Sequence, residues 1–330
     1  MSGKVLILGS NSFSGAHFAD YCLTKGLTVA AVSRSEEADP LFLPYCRNPR
    51  REKLLFRQFD LNRNLSELMS FIQDFAPEYI VNFAAQGMVA QSWSAPEQWL
   101  MTNTVSPVRL HDQLRKLRCL RKFVQISTPE VYGNCEKKLA ENYCYNPSTP
   151  YAVSKAAVDM SLMTFFRNYG FPVVFTRSAN VYGPCQQLYR IIPLTAMKIL
   201  QGKKLQLHGG GRSVRSFIHI RDVADGTFRA MCDGVPGEVY HFSTDRQISI
   251  RDLVAQIVSS LGAEFEDCVE NVPDRPGKDN AYVLSSEKAR SVLGWADRIP
   301  LETGIFETID WVRDNFASLN KFPCEYIHKE

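Results

Sequence analysis

The chain has 330 residues, 45% of them hydrophobic and 22% charged, with a formal net charge of +3. That is an ordinary globular composition, long enough for a large core and one nucleotide-binding domain with an elaboration, and the charge is too small to argue for nucleic acid or an acidic membrane surface as partner. No apolar run approaches the ~18 residues of a membrane span, and the first residues lead into a strand pattern rather than a signal peptide, so a cytoplasmic location is expected.

Residues 5–8 form a short apolar run that stops at Gly9, as in a strand buried on both faces. GSNSFSG follows, then an apolar-periodic segment ending near Gly26. Strand, glycine turn and helix in this order is the context in which backbone N–H groups and a helix N-terminus meet a dinucleotide pyrophosphate. The usual middle glycine is Ser12, which keeps a backbone N–H and adds a hydroxyl. A plain helix-capping turn is the competing reading. Residues 28–33 read as a second strand. An acidic residue at its end favours NAD, whereas an arginine accommodates the 2′-phosphate of NADP. The sequence there is Ser33, Arg34, Ser35, so NADP is expected ahead of NAD, against the alternative that Arg34 merely stacks on adenine or is solvated.

Strand and helix then alternate. Residues 54–59 make a third strand, with Asp60 and Leu61 at its carboxyl end where an adenine would lie. Residues 65–75 are helical by spacing. A fourth strand, 79–83, ends in NFAAQ, whose small Ala84 and Ala85 let the main chain approach a cofactor closely. Residues 97–117 carry apolar positions at helical spacing. A fifth strand, 122–126, delivers Ser127, Thr128 and Glu130 to the carboxyl edge of the sheet, where ligands bind in open parallel sheets.

Beyond a loop, Tyr151 and Lys155 stand one helical turn apart on one face, with Pro150 suited to the first turn. An ammonium within about 4–6 Å of a phenol favours the phenolate, which makes the pair a proton-transfer device. Alone it reads more readily as a surface pair on an amphipathic helix, and the other motifs overturn that reading. Residues 173–177 form a sixth strand, followed by SANVYGP. Further on, LQLHGGGRSVRSFIHIRDVADG and NVPDRPGKDN read as loops, short strands and positive charge. Residues 250–261, 287–293 and 301–316 read as helices, the first two capped by Ser249 and Ser286. Nine scattered cysteines without a Cys-x-x-Cys pair read as reduced packing thiols. The histidines show no metal spacing, so no metal is expected; His208 reads as a loop residue, and Glu136, Lys137, Lys138 and Glu141 as solvated surface.

Together the glycine turn, NFAAQ, STPEVYG, the Tyr-x-x-x-Lys of TPYAVSK, RSANVYGP and VRSFIHIRDVA resemble the extended short-chain dehydrogenase/reductase family of nucleotide-sugar enzymes, also called the NAD-dependent epimerase/dehydratase family. Within it the pattern is nearest to 4,6-dehydratases of the dTDP-glucose and GDP-mannose type, over residues 4 to about 311. The resemblance implies an α/β fold: a Rossmann domain with a doubly wound parallel sheet over 1–180, and a smaller C-terminal α/β lobe, mainly 181–330, that binds a nucleotide-diphosphate sugar and sends a segment back to the sheet. It implies a homodimer formed through helices matching 97–117 and 151–168.

By the same likeness Gly9, Asn11, Ser12, Phe13, Arg34, Asp60, Leu61, Ala84, Ala85, Tyr151 and Lys155 would contact NADP or NAD. Gln86, Thr128, Asn180, Arg215 and Arg275 would hold the substrate, the guanidinium forks facing its diphosphate. Thr128, Glu130, Tyr151 and Lys155 would be catalytic. Tyr151 would take the proton from the sugar 4-hydroxyl as hydride leaves C4, Lys155 would lower the phenol's pKa and Thr128 would hold the 4-oxygen. Glu130 would remove the C5 proton before the C6 hydroxyl leaves as water and hydride returns to C6. One position departs from the dTDP-glucose pattern: Pro129 stands where those enzymes carry an acidic residue. Glu130 is therefore expected to act as both base and proton donor. A UDP-glucuronate decarboxylase, a 4-epimerase, a 5,6-dehydratase of a UDP-amino sugar and a non-enzymatic cofactor-binding protein are the competing readings.

Overall fold

The structure, a computed structural model, describes residues 3–273 and 282–328. Its centre is a seven-stranded sheet of β1 (Lys4–Leu8), β2 (Thr28–Ser33), β3 (Leu54–Gln58), β4 (Tyr79–Asn82), β5 (Lys122–Ile126), β6 (Val173–Ser178) and β7 (Val239–Phe242). Every pairing is parallel, and the order is β7-β6-β5-β4-β1-β2-β3. The chain winds outward from β1 to β3, then restarts at β4 on the other side. This reversal defines a doubly wound Rossmann sheet and places a crevice at the carboxyl ends of β1 and β4.

Side-chain alternation divides the core between the two faces. Val5, Ile7, Val29 and Val81 point to one face, where they pack with α1 (Phe13–Thr24) and with Ala224 and Met231 of the helix Ile220–Asp233. Leu6, Leu8, Val32, Ile80 and Phe123 point to the other, against α2 (Leu65–Phe75) and Val158 and Leu162 of α3 (Pro150–Tyr169). Burial on both faces is why these strands read as unbroken apolar runs.

Residues 97–117 are not one uniform helix. Pro96–Leu100 is α-helical, Met101–Val105 is a π-helical turn and Ser106–Leu114 is α-helical again, with the Ser106 N–H bonded to the Met101 carbonyl. Pro107 explains the widened turn: it has no N–H to donate, and its ring crowds the carbonyl four residues back. The ladder loosens there, and Asn103 turns inward.

After β6 the chain leaves the sheet. Short strands pair as Asn180–Tyr182 with Phe217–His219 and Leu205–His208 with Val269–Val272, and the helices Ile191–Leu200, Ile250–Ser260 and Leu301–Asp314 enclose a separate core around Tyr182, Ile192, Leu253, Ile305 and Val312. It then comes back through the helix Ile220–Asp233 and β7. That helix corrects the loop reading of its segment. His219 caps it, accepting from the Arg221 N–H at 3.3 Å, and its buried face lies on α1.

Two further expectations need correction. Ser249 caps its helix, accepting from the Asp252 N–H at 3.0 Å, but the Ser286 hydroxyl instead bonds the Ser243 backbone and ties its helix to the end of β7. Glu141 is not solvated: its side chain is 7% exposed, and it accepts from the His241 N–H at 2.9 Å. The eight described cysteines are free thiols, no described helix is long and apolar enough to cross a membrane, and the described residues contain no metal-ligating cluster.

Candidate active site

At the crevice a cavity of about 220 Å³ opens, lined by Gly9, Asn11, Ser12, Arg34, Asp60, Leu61, Ala84 and Ala85 and by Gln86, which the family resemblance puts on the substrate side. Gly9 has φ +80°, and a Cβ there would stand 2.5 Å from the Ala84 amide nitrogen. The turn passes so close to the end of β4 that a side chain has no room. With the opening amides of α1 lacking intrahelical acceptors, the place has the shape and the donors that a dinucleotide pyrophosphate needs.

The residues of the turn divide the work differently from the expectation. Both the N–H and the hydroxyl of Ser12 bond the Gly9 carbonyl, at 3.0 and 2.6 Å, and Ser12 Oγ also accepts from Gly15 N at 3.1 Å. Ser12 therefore builds the turn as the N-cap of α1, and the donors left to an anion are the next amides, Phe13 and Ser14. The Phe13 ring turns away into a core with Val174, Ile218 and Tyr240. Asn11 braces the loop after β2: its Nδ2 donates to the Glu36 carbonyl at 2.7 Å, its Oδ1 accepts from Ala38 N at 3.2 Å and its own N–H reaches Ser33 Oγ at 2.9 Å. Arg34 sits on that braced loop. Asp60 accepts from Asn62 N at 2.8 Å and shapes the turn into α2.

Beyond β5, Thr128 caps a single turn, Pro129–Tyr132, its hydroxyl accepting from Glu130 N at 3.3 Å. Pro129 is buried in the first position of that turn, where a missing N–H costs nothing. The helix α3 opens the same way, Thr149 accepting from Ala152 N at 3.1 Å, so Tyr151 lies in its first turn and Lys155 in its second. Thr128 hydrogen-bonds the Tyr151 phenol, which favours the ionised form, but burial and the Glu130 carboxylate push its pKa up more strongly. Lys155 is buried, its ammonium donates to the Ile126 carbonyl at 2.6 Å, and burial lowers its pKa to about 8 against the raising effect of Asp159. The expected bias toward phenolate is thus not what this structure holds. Burial and the Glu130 carboxylate oppose ionisation of the phenol, and the Thr128 hydrogen bond and the Arg190 charge favour it.

Asn180 is exposed at the start of its strand, with Nδ2 3.3 Å from the Ser216 carbonyl, and Arg215 donates to the Val214 carbonyl at 2.8 Å. Arg275 lies outside the described residues. Several neighbours of the site were not foreseen. Asn103 holds the Gln86 backbone with two bonds, donating to its carbonyl at 3.0 Å and accepting from its N–H at 2.7 Å, and donates to Ser154 Oγ at 2.9 Å. Pro107 was the available signal for that kink. The charge of Arg190 acts on both Tyr151 and Tyr326, and that of Arg34 on Tyr326. The tail carrying Tyr326 is held by an edge contact with Tyr189 at 5.4 Å and by His328 stacked on Trp99 at 5.2 Å.

The family model for GDP-mannose 4,6 dehydratase matches residues 6–308. A dTDP-glucose 4,6-dehydratase of Streptomyces niveus is 36% identical over 239 residues, 72% of this chain and 70% of the relative. One of Escherichia coli is 31% identical over 343 residues, covering 94% of each. Among solved structures, the dTDP-glucose 4,6-dehydratase DesIV of Streptomyces venezuelae, with NAD bound, superposes with a TM-score of 0.87 at 29% identity, covering 96% of this chain and 98% of that one. A UDP-glucose 4-epimerase of Thermotoga maritima gives 0.86 at 27%, covering 95% and 99%. The shared fold therefore does not separate dehydratase from epimerase; the family model and the sequence relatives do. On that match the chain belongs to the GDP-mannose 4,6-dehydratase family and is a hydro-lyase, a 4,6-dehydratase.

Proposed function

We propose that the enzyme converts an NDP-hexose into an NDP-4-keto-6-deoxyhexose, with the acid–base chemistry divided among four side chains. The observation that carries this is the meeting of Thr128, Glu130 and Tyr151 in one cluster, with Lys155 one turn further along α3, at the carboxyl edge of a sheet whose crevice fits a dinucleotide. Gly9, Ala84 and Ala85 would hold a nicotinamide dinucleotide in that crevice, which when bound would supply the hydride acceptor and donor for C4 and C6. Tyr151 removes the proton of the 4-hydroxyl, and Thr128 holds the same oxygen. Lys155, four residues on from the phenol, is the buried positive charge of α3 in this reading. Glu130 takes the C5 proton, which the 4-ketone acidifies, and gives a proton to the C6 oxygen as water leaves. Pro129 supplies no proton, so one carboxyl performs both transfers.

Asn180, Arg215 and Arg275 hold the nucleotide sugar in this reading. Arg34, carried on the Asn11-braced loop, favours NADP over NAD. The enzyme works in the cytoplasm as a homodimer. Its interface is the outer face of Pro96–Leu114 and α3, where Leu100, Met101, Val105, Val153 and Met160 are exposed together. Incubation with a panel of nucleotide sugars and mass measurement identifies the substrate.

The decisive experiment is Glu130→Gln. Glutamine keeps the shape but takes no proton, so C4 oxidation proceeds and reduced nicotinamide accumulates on the enzyme, while elimination slows by ~10²–10⁴-fold. Water release at near the normal rate, or retention of C5 deuterium during wild-type turnover, refutes the assignment.

A further inference from the structure

Behind the proton-transfer pair lies a second, wholly buried set of charges. Asp159, one helical turn beyond Lys155, uses a single carboxylate oxygen twice: Oδ2 accepts from the Ser127 hydroxyl at 2.5 Å and from Arg177 Nη2 at 3.0 Å. Both Asp159 and Arg177 are 0% exposed. The other oxygen, Oδ1, has no hydrogen-bond partner among the described residues. Spare acceptor capacity on a buried carboxylate is costly unless further positive charge draws on it. Lys155 stands four residues earlier on the same helix, is buried alike, and is drawn toward its charged form by Asp159. The arginine side is shared as well, its guanidinium lying 4.5 Å from the Tyr132 ring and 5.3 Å from the Tyr145 ring.

From this geometry we infer that Asp159 is a positioning residue for the first proton transfer: it keeps Lys155 an ammonium in its buried place and, through Ser127, fixes the backbone that presents Thr128. The inference rests on the reading of Tyr151 and Lys155 as the proton-transfer pair. Charged and titratable groups face the site from every side: Arg177 from β6, Tyr132 and Glu130 from the turn after β5, Tyr145 from the loop before α3, Tyr151 and Lys155 from α3 and Arg190 from the lobe. Among them Asp159 is the charge that opposes the loss of the Lys155 proton. An Asp159 that served only to neutralise Arg177 would leave Lys155 untouched when both were removed.

That difference is the test. Asp159→Asn removes the carboxylate charge but strands a buried arginine, so Asp159→Asn/Arg177→Gln is made beside it to remove both charges together. In the full chain the Lys155 side chain is titrated by NMR through its Cε carbon, assigned with Lys155→Met. In the loaded enzyme the pH profile of nicotinamide reduction is recorded. The inference expects the Lys155 midpoint and the alkaline limb to move down by about 1 pH unit or more in both variants, the KM for the sugar staying put. A wild-type midpoint in the double variant overturns it, because the carboxylate would then serve Arg177 alone. If the single variant does not fold, the double variant decides. If neither folds, the wild-type titration does: Lys155 uncharged at pH 7 overturns the inference, and an ammonium that persists to about pH 8 supports it. Undiminished nicotinamide reduction by Tyr151→Phe would sink the underlying reading instead, whatever Lys155 does.

Discussion

Replacing Asn103 by alanine tests how the crevice is held open. This side chain is 2% exposed and makes three hydrogen bonds, two to the Gln86 backbone and one to Ser154 on α3. Alanine removes both bonds to the Gln86 backbone, each worth ~0.5–1.5 kcal/mol net. Counting the Ser154 bond at the same rate, the three together give a loss of about 1.5–4.5 kcal/mol. Urea unfolding of the full chain should show the midpoint falling with its slope unchanged. Asn103→Asp keeps the acceptor for the Gln86 N–H but turns an acceptor toward its carbonyl, so it should be destabilised as well. Because Gln86 lines the crevice, both variants should also bind cofactor more weakly. A cost below ~1 kcal/mol with cofactor affinity intact would show that the widened turn does not brace the loop.

Gly9→Ala meets the Ala84 nitrogen in a left-handed conformation, and should cost at least ~1–3 kcal/mol, lower the thermal midpoint and weaken cofactor binding. Arg34→Ala should weaken NADP by roughly 1.5–3 kcal/mol and spare NAD; equal losses in calorimetry would dismiss the 2′-phosphate contact. For Lys155, with a pKa lowered by burial to about 8 when folded from the ordinary lysine value of 10.5, the unfolded chain holds the extra proton between the two. Stability relative to Lys155→Met should therefore rise from about pH 8 toward 10.5, while nicotinamide reduction falls over the same window as the ammonium is lost.

What was legible in the sequence was what local periodicity controls. The bounds of β2, β5 and α2 fall where the apolar pattern put them, because each element buries a regular set of side chains. The same holds for Tyr151 and Lys155, whose spacing is a property of one helix. Contacts between distant segments were not legible. Glu141 stood in a charged run, and nothing local says that it meets His241, a hundred residues on. The sequence marks Asp159 only as an acid four residues after a lysine, and its arginine comes from another strand. Ser12 shows the limit at closest range: its donors were rightly counted, but the turn uses both for itself.

The return of the chain through β7 bears on how the protein is made. β6 pairs on one side with β5 and on the other with β7, which emerges from the ribosome some sixty residues later, after the strands Asn180–Tyr182 and Phe217–His219 have been synthesised. At ~5–20 residues per second that is roughly 3–12 s during which one edge of β6 is an open template for another strand. A nascent chain of this protein is thus open to mispairing at β6 in the middle of its synthesis. Cutting after β6 to isolate the nucleotide-binding half would make that exposure permanent.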